Sequence, residues 1–397
     1  MTSGALLSAR ERAIWAGCFF IVAALLIVSR FASNDPDSSL YAELSAKLSA
    51  QPVARWVAPE WWGLWPDAGL TGYFREHPAG LFLIPAALGR TGVPPIQASY
   101  IFGIAAGLIS LLLASRLVLR LTSREDGRAA LLLLQLMPVA FIFRIRDNHE
   151  YPMLVCLLAG LVGLDGVSRS WGWMVLVMAA FAAGLLVKGV FVAVVLMAAA
   201  LWIAFNPAGG SRARQIAACV AGIGAMTAAA IVYDVWYRRV TGGPFWAAYW
   251  ARQLGPMSIA SPLGQAWSFL SHVWFYLQRL LFHPAPWSVA LLWAAWRRPG
   301  LVKEVTTSER RGLAFALTCA ALSVLLLSAA SRFAERYAFS ATYLIGAAGS
   351  VIAFRGWPTV RRVVTKIDAV VPAPAAFVWT VLIILRLVLG PFLPRIG

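Results

Sequence analysis

Two aspartates near the start of the chain lie where one of them could act as a general base. They belong to the segment Asn34–Leu44, which begins Asn-Asp-Pro-Asp. Asp followed by Pro is typical of a helix start, so we favour Asp35 as an N-cap over Asp35 as a catalytic group. Asp37 is not needed for that cap, and the positive end of the helix favours its ionised form. Asp37 could therefore accept a proton from an acceptor hydroxyl or amine, or it could only compensate the helix dipole.

A second polar cluster lies between two apolar stretches, in the segment Arg144–Pro152, which reads Arg-Ile-Arg-Asp-Asn-His-Glu-Tyr-Pro. So many ionisable groups at a membrane edge are costly, which favours a functional site over a solvated turn whose charges pair. Two of its arginines also oppose the usual excess of basic residues on the cytoplasmic side. The cluster supplies five candidate site residues: Arg144, Arg146, Asp147, His149 and Glu150.

Three shorter elements add groups that could meet a phosphate. They contain Glu76 and His77 before a proline, Lys188 before a glycine, and Arg336 before a tyrosine. Taken alone, His77 is more simply a surface histidine, and Lys188 a lysine that extends to water. Taken together with the aspartates, they form the set that transfer from a lipid phosphate requires. Arginine and lysine would stabilise the anionic leaving group, and one carboxylate would act as the base.

The elements that must position these residues are predicted to be membrane-spanning helices. Of the 397 residues, 60% are apolar and only 13% are charged, which is outside the range of soluble domains. Apolar stretches near the ~20 residues needed to cross a bilayer recur along the chain. We predict an all-α polytopic membrane protein of about eleven spans, at residues 13–31, 97–120, 129–145, 151–168, 171–187, 189–205, 215–236, 274–296, 312–330, 337–354 and 371–391.

The basic residues predict the topology of these spans. The net charge is +17, but the basic residues lie in short loops rather than along one stripe, which argues against nucleic acid as a partner. With those loops in the cytoplasm, residues 32–96 and 238–273 form two long outer loops, whose tryptophans predict interfacial helices that contact membrane lipids. We expect residues 1–397 to form one domain in the inner (plasma) membrane, with its polar groups facing the periplasm or exterior.

These motifs resemble those of the C-type glycosyltransferase superfamily, in particular the branch that contains the protein O-mannosyltransferases and the aminoarabinose transferase of lipid A. At three positions the sequence departs from the family pattern: Ser38 replaces the second acid of the first motif, where Asp35 could stand in, His77 replaces a lysine, and Ala79 replaces a proline. The resemblance covers most of the chain and rests on Pro36–Glu43, Glu76–Leu81, Arg146–Asp147 with Tyr151–Pro152, Gly184–Gly189, Pro286–Trp287 and Glu335–Tyr337.

The resemblance implies a helical bundle with interfacial helices over a donor groove. It implies that Asp37 is the catalytic base and that Asp147 or Glu150 lines the same cavity. It implies that His77, Lys188 and Arg336 contact the lipid phosphate. We add Arg146 and Arg144 as further candidates for binding the donor phosphate, and Tyr41, His149 and Glu76 as other residues of the site.

The implied reaction is inverting transfer of a sugar from a polyprenyl-phosphate donor to an extracytoplasmic glycolipid, polysaccharide or protein. We predict no cofactor and no metal, because no metal-ligand spacing stands out, although carboxylates and histidines coexist in the outer loops. A lipid or sugar transporter, such as a flippase, and a non-catalytic membrane subunit are the alternatives. Transporters tend to have repeated halves, which this sequence lacks, so we rank the enzyme first.

Overall fold

The chain folds into a bundle of α-helices in the computed structural model, which describes residues 7–61, 72–253, 262–298, 300, 305–330 and 333–392. The first nine helices are α1 (Ala9–Ser29), α2 (Pro36–Ala50), α3 (Gly80–Arg90), α4 (Pro95–Leu121), α5 (Arg124–Leu133), α6 (Pro138–Ile142), α7 (Glu150–Val167), α8 (Met174–Lys188) and α9 (Val192–Phe205). The others are α10 (Arg212–Thr241), α11 (Phe245–Gln253), α12 (Pro262–Phe282), α13 (Trp287–Arg297), α14 (Thr307–Ser328), α15 (Phe339–Gly356), α16 (Pro358–Val370) and α17 (Pro374–Leu389).

Seven helical runs within these ranges are long and apolar enough to cross a membrane, and the pair α16 and α17, bent by 94°, would add one more. Many of their large apolar side chains point outward, among them Phe20 and Val28 on α1 and Val175 on α8. A helix satisfies its own backbone hydrogen bonds, so such a surface is stable in lipid. The predicted all-α polytopic membrane fold is thereby confirmed.

One of the seven runs, Trp171–Phe205, contains a reversal of the chain. A Cβ placed on Gly184 in α8 would lie 3.8 Å from a methyl group of Val195 in α9. Eleven residues of straight helix rise about 16 Å, so the two helices must run back along each other. The reversal occurs at Gly189, whose φ of +58° is favourable only for glycine. The spans predicted at 171–187 and 189–205 are therefore separate helices.

Two other predicted spans are broken. The span at 129–145 consists of α5 and α6, separated by a short 3-10 turn at Leu134–Leu136. The span at 274–296 consists of the end of α12 and the whole of α13, separated by residues 283–286. Proline lies at each break and cannot continue a helix. Each of the predicted spans thus coincides with a helix or with a broken pair.

The first outer loop is also helical where it is described. Helix α2 packs on α3 and α4, and buries Leu40, Tyr41, Leu44 and Leu48. The helices predicted in this loop are therefore present, whereas their position at the membrane surface stays a prediction. Two of the tryptophans behind that prediction, Trp62 and Trp65, lie outside the described residues.

At the end of the bundle opposite the polar motifs, ion pairs between charged residues connect the helices. Arg355 of α15 binds Asp126 of α5, with Nε 3.1 Å from Oδ1, and also binds Glu309 of α14. Arg128 of α5 reaches Asp368 of α16 at 2.7 Å, and a further carboxylate on α1. This end carries the loops that were predicted to be cytoplasmic, and the polar motifs lie at the opposite end.

Candidate functional site

Five segments that carry the polar motifs meet at one end of the bundle, although they are far apart in the sequence. Each holds one or more of the predicted site residues. The contacts between segments join Asp35 to Arg146, Asp37 to Arg336, His77 to His149, and Lys188 to Tyr337.

Asp35 has a structural role in this site. Its carboxylate accepts a hydrogen bond from the Ser38 amide at 3.0 Å, which makes it the N-cap of α2. The same carboxylate accepts two hydrogen bonds from Arg146, from Nε at 3.0 Å and from a terminal nitrogen at 2.7 Å. Both side chains are almost fully buried. The favoured capping role of Asp35 is confirmed, and its two oxygens are already occupied.

Asp37 lies one half-turn further along α2 and forms an ion pair with Arg336. Arg336 belongs to the 3-10 turn Glu335–Ala338, which leads into α15. The Asp37 side chain is 27% exposed and the Arg336 side chain is 20% exposed. A ligand can therefore reach this pair, unlike the buried pair next to it.

Lys188 is the last residue of α8 and is buried beside Arg336. Its Nζ lies 4.4 Å from the centre of the Tyr337 ring and 4.8 Å from that of Phe191. These rings attract the ammonium group electrostatically but do not neutralise its charge. The site thus brings the Arg336 guanidinium and the Lys188 amine, a second cation when it is protonated, next to one accessible carboxylate.

The turn that holds Lys188 is fixed by the second outer loop. The hydroxyl of Tyr249, on α11, accepts a hydrogen bond from the Val190 amide at 2.9 Å. A Cβ at Gly189 would overlap that hydroxyl, so glycine is required both by the space and by the backbone conformation. Helix α11 therefore positions the lysine through the Tyr249 hydroxyl.

Asp147 is 1% exposed, and neither of its carboxylate oxygens makes a hydrogen bond within the described part of the chain. Burial raises the pKa of Asp147 to about 8, and the nearby Glu150 and Asp35 carboxylates add to that shift, although a Ser99 hydroxyl opposes it. Near neutral pH this carboxyl is thus protonated and can donate a hydrogen bond.

Two histidines and a tyrosine pack edge to face in the same cluster. The ring centroids of His77 and His149 are 4.1 Å apart, and those of Tyr41 and His149 are 5.2 Å apart. Burial, followed by the charges of the neighbouring basic groups, holds the pKa of His149 well below its usual value, so the ring is neutral. Asn148 Oδ1 accepts a hydrogen bond from the His149 backbone amide and lies 2.8 Å from Nδ1 of its ring, which puts the ring proton on Nδ1. Nε2 can then act as an acceptor, and it has no hydrogen-bond partner among the described residues.

Two further acids line the cluster. Glu150 begins α7, and its Oε1 lies 3.9 Å from a terminal nitrogen of Arg146. Glu76 is near enough to Tyr41 for its charge to act on that phenol. Burial first, and then mainly the Asp37 charge, raises the pKa of Tyr41 well above its usual value, with a smaller contribution from Glu76.

Arg144 is the one predicted site residue that the structure does not bring into the cluster. Its guanidinium turns inward and donates to the Gln135 side chain at 3.1 Å and to the Gln135 carbonyl at 3.0 Å. The phosphate contact predicted for Arg144 is therefore corrected to a structural role. Conversely, sequence analysis did not predict a role for Tyr249, which in the sequence is only one of several aromatic residues in an outer loop. It also did not predict a role for Gly103, a glycine in the apolar helix α4, where a Cβ would overlap the Arg146 carbonyl oxygen.

No group of three or more His, Cys, Asp or Glu side chains is arranged to hold a metal ion in the ranges that the structure describes. The arrangement offers instead a pair of cations for an anion, an accessible carboxylate, and neutral hydrogen-bonding groups from Asp147 and His149.

Comparison with known proteins supports a common fold. Residues 77–236 match the family described as dolichyl-phosphate-mannose-protein mannosyltransferase. ArnT from Cupriavidus metallidurans, solved bound to undecaprenyl phosphate, aligns with a TM-score of 0.62 at 14% sequence identity, over 96% of this chain and 77% of that chain. ArnT in the apo state aligns with a TM-score of 0.56 at 14% identity, over 95% and 76% of the two chains. The search of curated protein sequences gave no match.

The family match covers less than half of the chain, and at 14% identity the structural match concerns the fold alone. Together they confirm the resemblance that the motifs indicated. The chain is a multi-pass membrane protein with the same fold as ArnT, and its residues 77–236 are similar to the family of dolichyl-phosphate-mannose-protein mannosyltransferases.

Proposed function

We propose that this protein is a membrane glycosyltransferase that transfers a sugar from a polyprenyl-phosphate donor to an acceptor outside the cytoplasm. The observation that carries the proposal is the accessible Asp37 carboxylate beside the cations of Arg336 and Lys188. The mannosyltransferase family match and the ArnT structure with undecaprenyl phosphate support the same donor class.

In the proposed reaction, Asp37 accepts the proton of an acceptor hydroxyl or amine. The acceptor atom then forms a bond to the anomeric carbon of the sugar, while the bond between that carbon and the phosphate oxygen breaks. The leaving group is a polyprenyl phosphate, which is already an anion and needs charge stabilisation rather than a proton. Arg336 would bind it with its planar fork and Lys188 as a point charge. A single displacement of this kind inverts the anomeric configuration.

Asp37 is the best candidate for the base because its side chain is partly exposed, whereas Asp35, Asp147 and Glu150 are buried. Asp35 caps α2 and holds Arg146, and Asp147 is protonated near neutral pH. Glu150 faces Arg146 from the first turn of α7. A general base must come within hydrogen-bond reach of its substrate, and the partly exposed Asp37 side chain leaves room for that approach.

The neutral groups would bind the sugar or line its cavity. Protonated Asp147 can donate to a sugar hydroxyl, and His149 Nε2 can accept from one. His77 and Tyr41 pack edge to face against His149 and help to hold its ring in place. We place the active site on the periplasmic or exterior face of the inner membrane, because the basic loops lie at the other end of the bundle.

The Asp37→Asn variant tests this proposal. Purified protein in detergent is given radiolabelled polyprenyl-phosphate sugars and an envelope extract, and transfer of label is measured. We expect transfer by the natural protein and a loss of about 100-fold or more in the variant, which is typical of removing a general base. Glu43→Gln makes the same chemical change at an exposed position of α2 and should transfer normally.

A folded Asp37→Asn protein that transfers label at the normal rate would exclude Asp37 as the base. If folded natural protein transfers label from none of the donors, the transporter or the non-catalytic subunit becomes the better interpretation.

A further inference from the structure

The candidate base and a candidate phosphate ligand hold each other in the structure, because Asp37 is the ion-pair partner of Arg336. We propose that the donor's lipid phosphate and Asp37 compete for Arg336, so that binding of the phosphate releases Asp37 to act as the base. This inference rests on the proposed function, since it concerns the same site.

The neighbouring pair shows how a permanent ion pair is built in this fold. Asp35 and Arg146 make two hydrogen bonds at 2.7 and 3.0 Å, and the same carboxylate caps α2. Their side chains are only 6% and 4% exposed. A competing anion could not displace that carboxylate without uncapping the helix and opening a buried site.

The Asp37–Arg336 pair lacks these restraints. Asp37 is not the N-cap of α2, and about a quarter of its side chain is exposed. A partly exposed ion pair costs less to separate than a fully buried one, so an anion that offers more charge and more acceptor oxygens can replace the carboxylate. A lipid phosphate offers both.

Lys188 is positioned to make that exchange favourable. Its Nζ lies 4.4 Å from the ring of Tyr337, the residue that follows Arg336. When Lys188 is protonated, its charge interacts electrostatically with both Asp37 and Arg336. A phosphate bound to Lys188 would therefore lie beside the Arg336 guanidinium. The phosphate would gain two cations, whereas Asp37 would lose its partner.

The exchange would couple the chemistry to donor binding. A carboxylate paired with a guanidinium accepts a proton less readily than a free one. The acceptor would thus be deprotonated only after the donor is bound, which protects the site from activating water or acceptor too early.

The test measures the binding of undecaprenyl phosphate without a sugar, by titration of intrinsic tryptophan fluorescence in detergent. Four proteins form a double-mutant cycle: the natural protein, Asp37→Asn, Arg336→Gln and the double variant. We expect Asp37→Asn to bind the lipid about two- to fivefold more tightly, because Arg336 is no longer occupied. In the Arg336→Gln background, the same change should bring no gain.

Glu335→Gln is the matched control. Glu335 is adjacent to Arg336, but its carboxylate lies 3.7 Å from His283 and 3.9 Å from Arg279. Loss of its charge should leave lipid affinity unchanged. Arg336→Lys keeps the positive charge but loses the planar guanidinium, and it is the second variant in case Arg336→Gln does not fold. In the Arg336→Lys background, Asp37→Asn should still tighten lipid binding, but by a smaller factor.

Two results would overturn the competition. Asp37→Asn could bind undecaprenyl phosphate no more tightly than the natural protein, or the gain could persist without Arg336, which would indicate direct repulsion between Asp37 and the phosphate. The outcome is separable from that of the transfer assay. If Asp37→Asn abolishes transfer but the cycle shows no coupling, the proposed enzyme is supported and the competition for Arg336 is excluded. If the cycle shows coupling but no donor supports transfer, the competition is supported and the proposed enzyme is not.

Discussion

At the scale of single residues, Asp147 is the clearest case of a side chain whose chemistry depends on its surroundings. Its carboxyl is buried among Glu150, Asp35 and a Ser99 hydroxyl, and burial raises its pKa to about 8. In the unfolded chain the same carboxyl ionises near pH 4. Between these two values the unfolded protein binds fewer protons than the folded one, so stability falls as the pH rises through this window.

Asp147→Asn should remove this dependence, because asparagine keeps the shape of the protonated carboxyl and does not titrate. We expect the melting temperature of the variant, relative to the natural protein, to increase from pH 5 to pH 8 in a thermal unfolding series.

Asp126→Asn is the control, because the pKa of Asp126 is shifted in the opposite direction. Although burial raises the pKa of Asp126, hydrogen bonds from Arg355 and Ser123 bring it below its usual value. That variant should be less stable than the natural protein throughout this range. A constant difference for Asp147→Asn would show that Asp147 is ionised in the folded protein.

At the scale of elements, the site depends on how closely α4 approaches the segment 144–150. A Cβ at Gly103 would overlap the Arg146 carbonyl oxygen, so this glycine allows the segment to lie against the helix. One helical turn later, a Cβ at Gly107 would lie 3.6 Å from the Tyr151 ring, which is an ordinary van der Waals contact. The two glycines occupy the same face of α4 but have different structural requirements.

Gly103→Ala should therefore push Arg146 away from Asp35. We expect a loss of stability of about 1–3 kcal/mol, as for other overpacked sites, together with a loss of sugar transfer. Gly107→Ala should have little effect on either. The measurements are thermal unfolding and the transfer assay, and equal effects of the two alanines would contradict the close approach at Gly103.

At the scale of the whole molecule, the two ends of the bundle carry different sets of charged residues. One end holds the site, and the other holds Arg355 with its two carboxylate partners and the short basic loops. Short basic loops stay in the cytoplasm, so the site should face outward.

Cysteine labelling in intact cells tests this orientation. In a background without the four native cysteines, Arg55→Cys, in the first outer loop, should react with a membrane-impermeant maleimide. Arg310→Cys, near the start of α14, should react only after the cells are permeabilised. Both positions are exposed, so accessibility depends on the side of the membrane. The reverse pattern would place the site in the cytoplasm.

Much of the fold follows from local sequence. A bilayer requires long apolar helices, so hydropathy alone located the spans, and Gly189 marked the reversal between two of them. The capping role of Asp35 was also predictable, because it needs only the following proline and a nearby amide. Those predictions rest on interactions among residues close together in the chain.

The composition of the site was decided by the tertiary structure. Arg144 and Arg146 are two residues apart in an irregular segment, where no helical or strand period says which one faces the site, and only Arg146 does. The partner of Asp37 comes from the far end of the chain, and the protonation of Asp147 depends on burial by α4 and α7. By itself, the sequence determined a bundle of membrane-spanning helices with acids and bases in its loops, because lipid constrains every span locally. Which acids are buried and which stay accessible was decided by packing, because pairing and desolvation depend on residues that are brought together only in the folded protein.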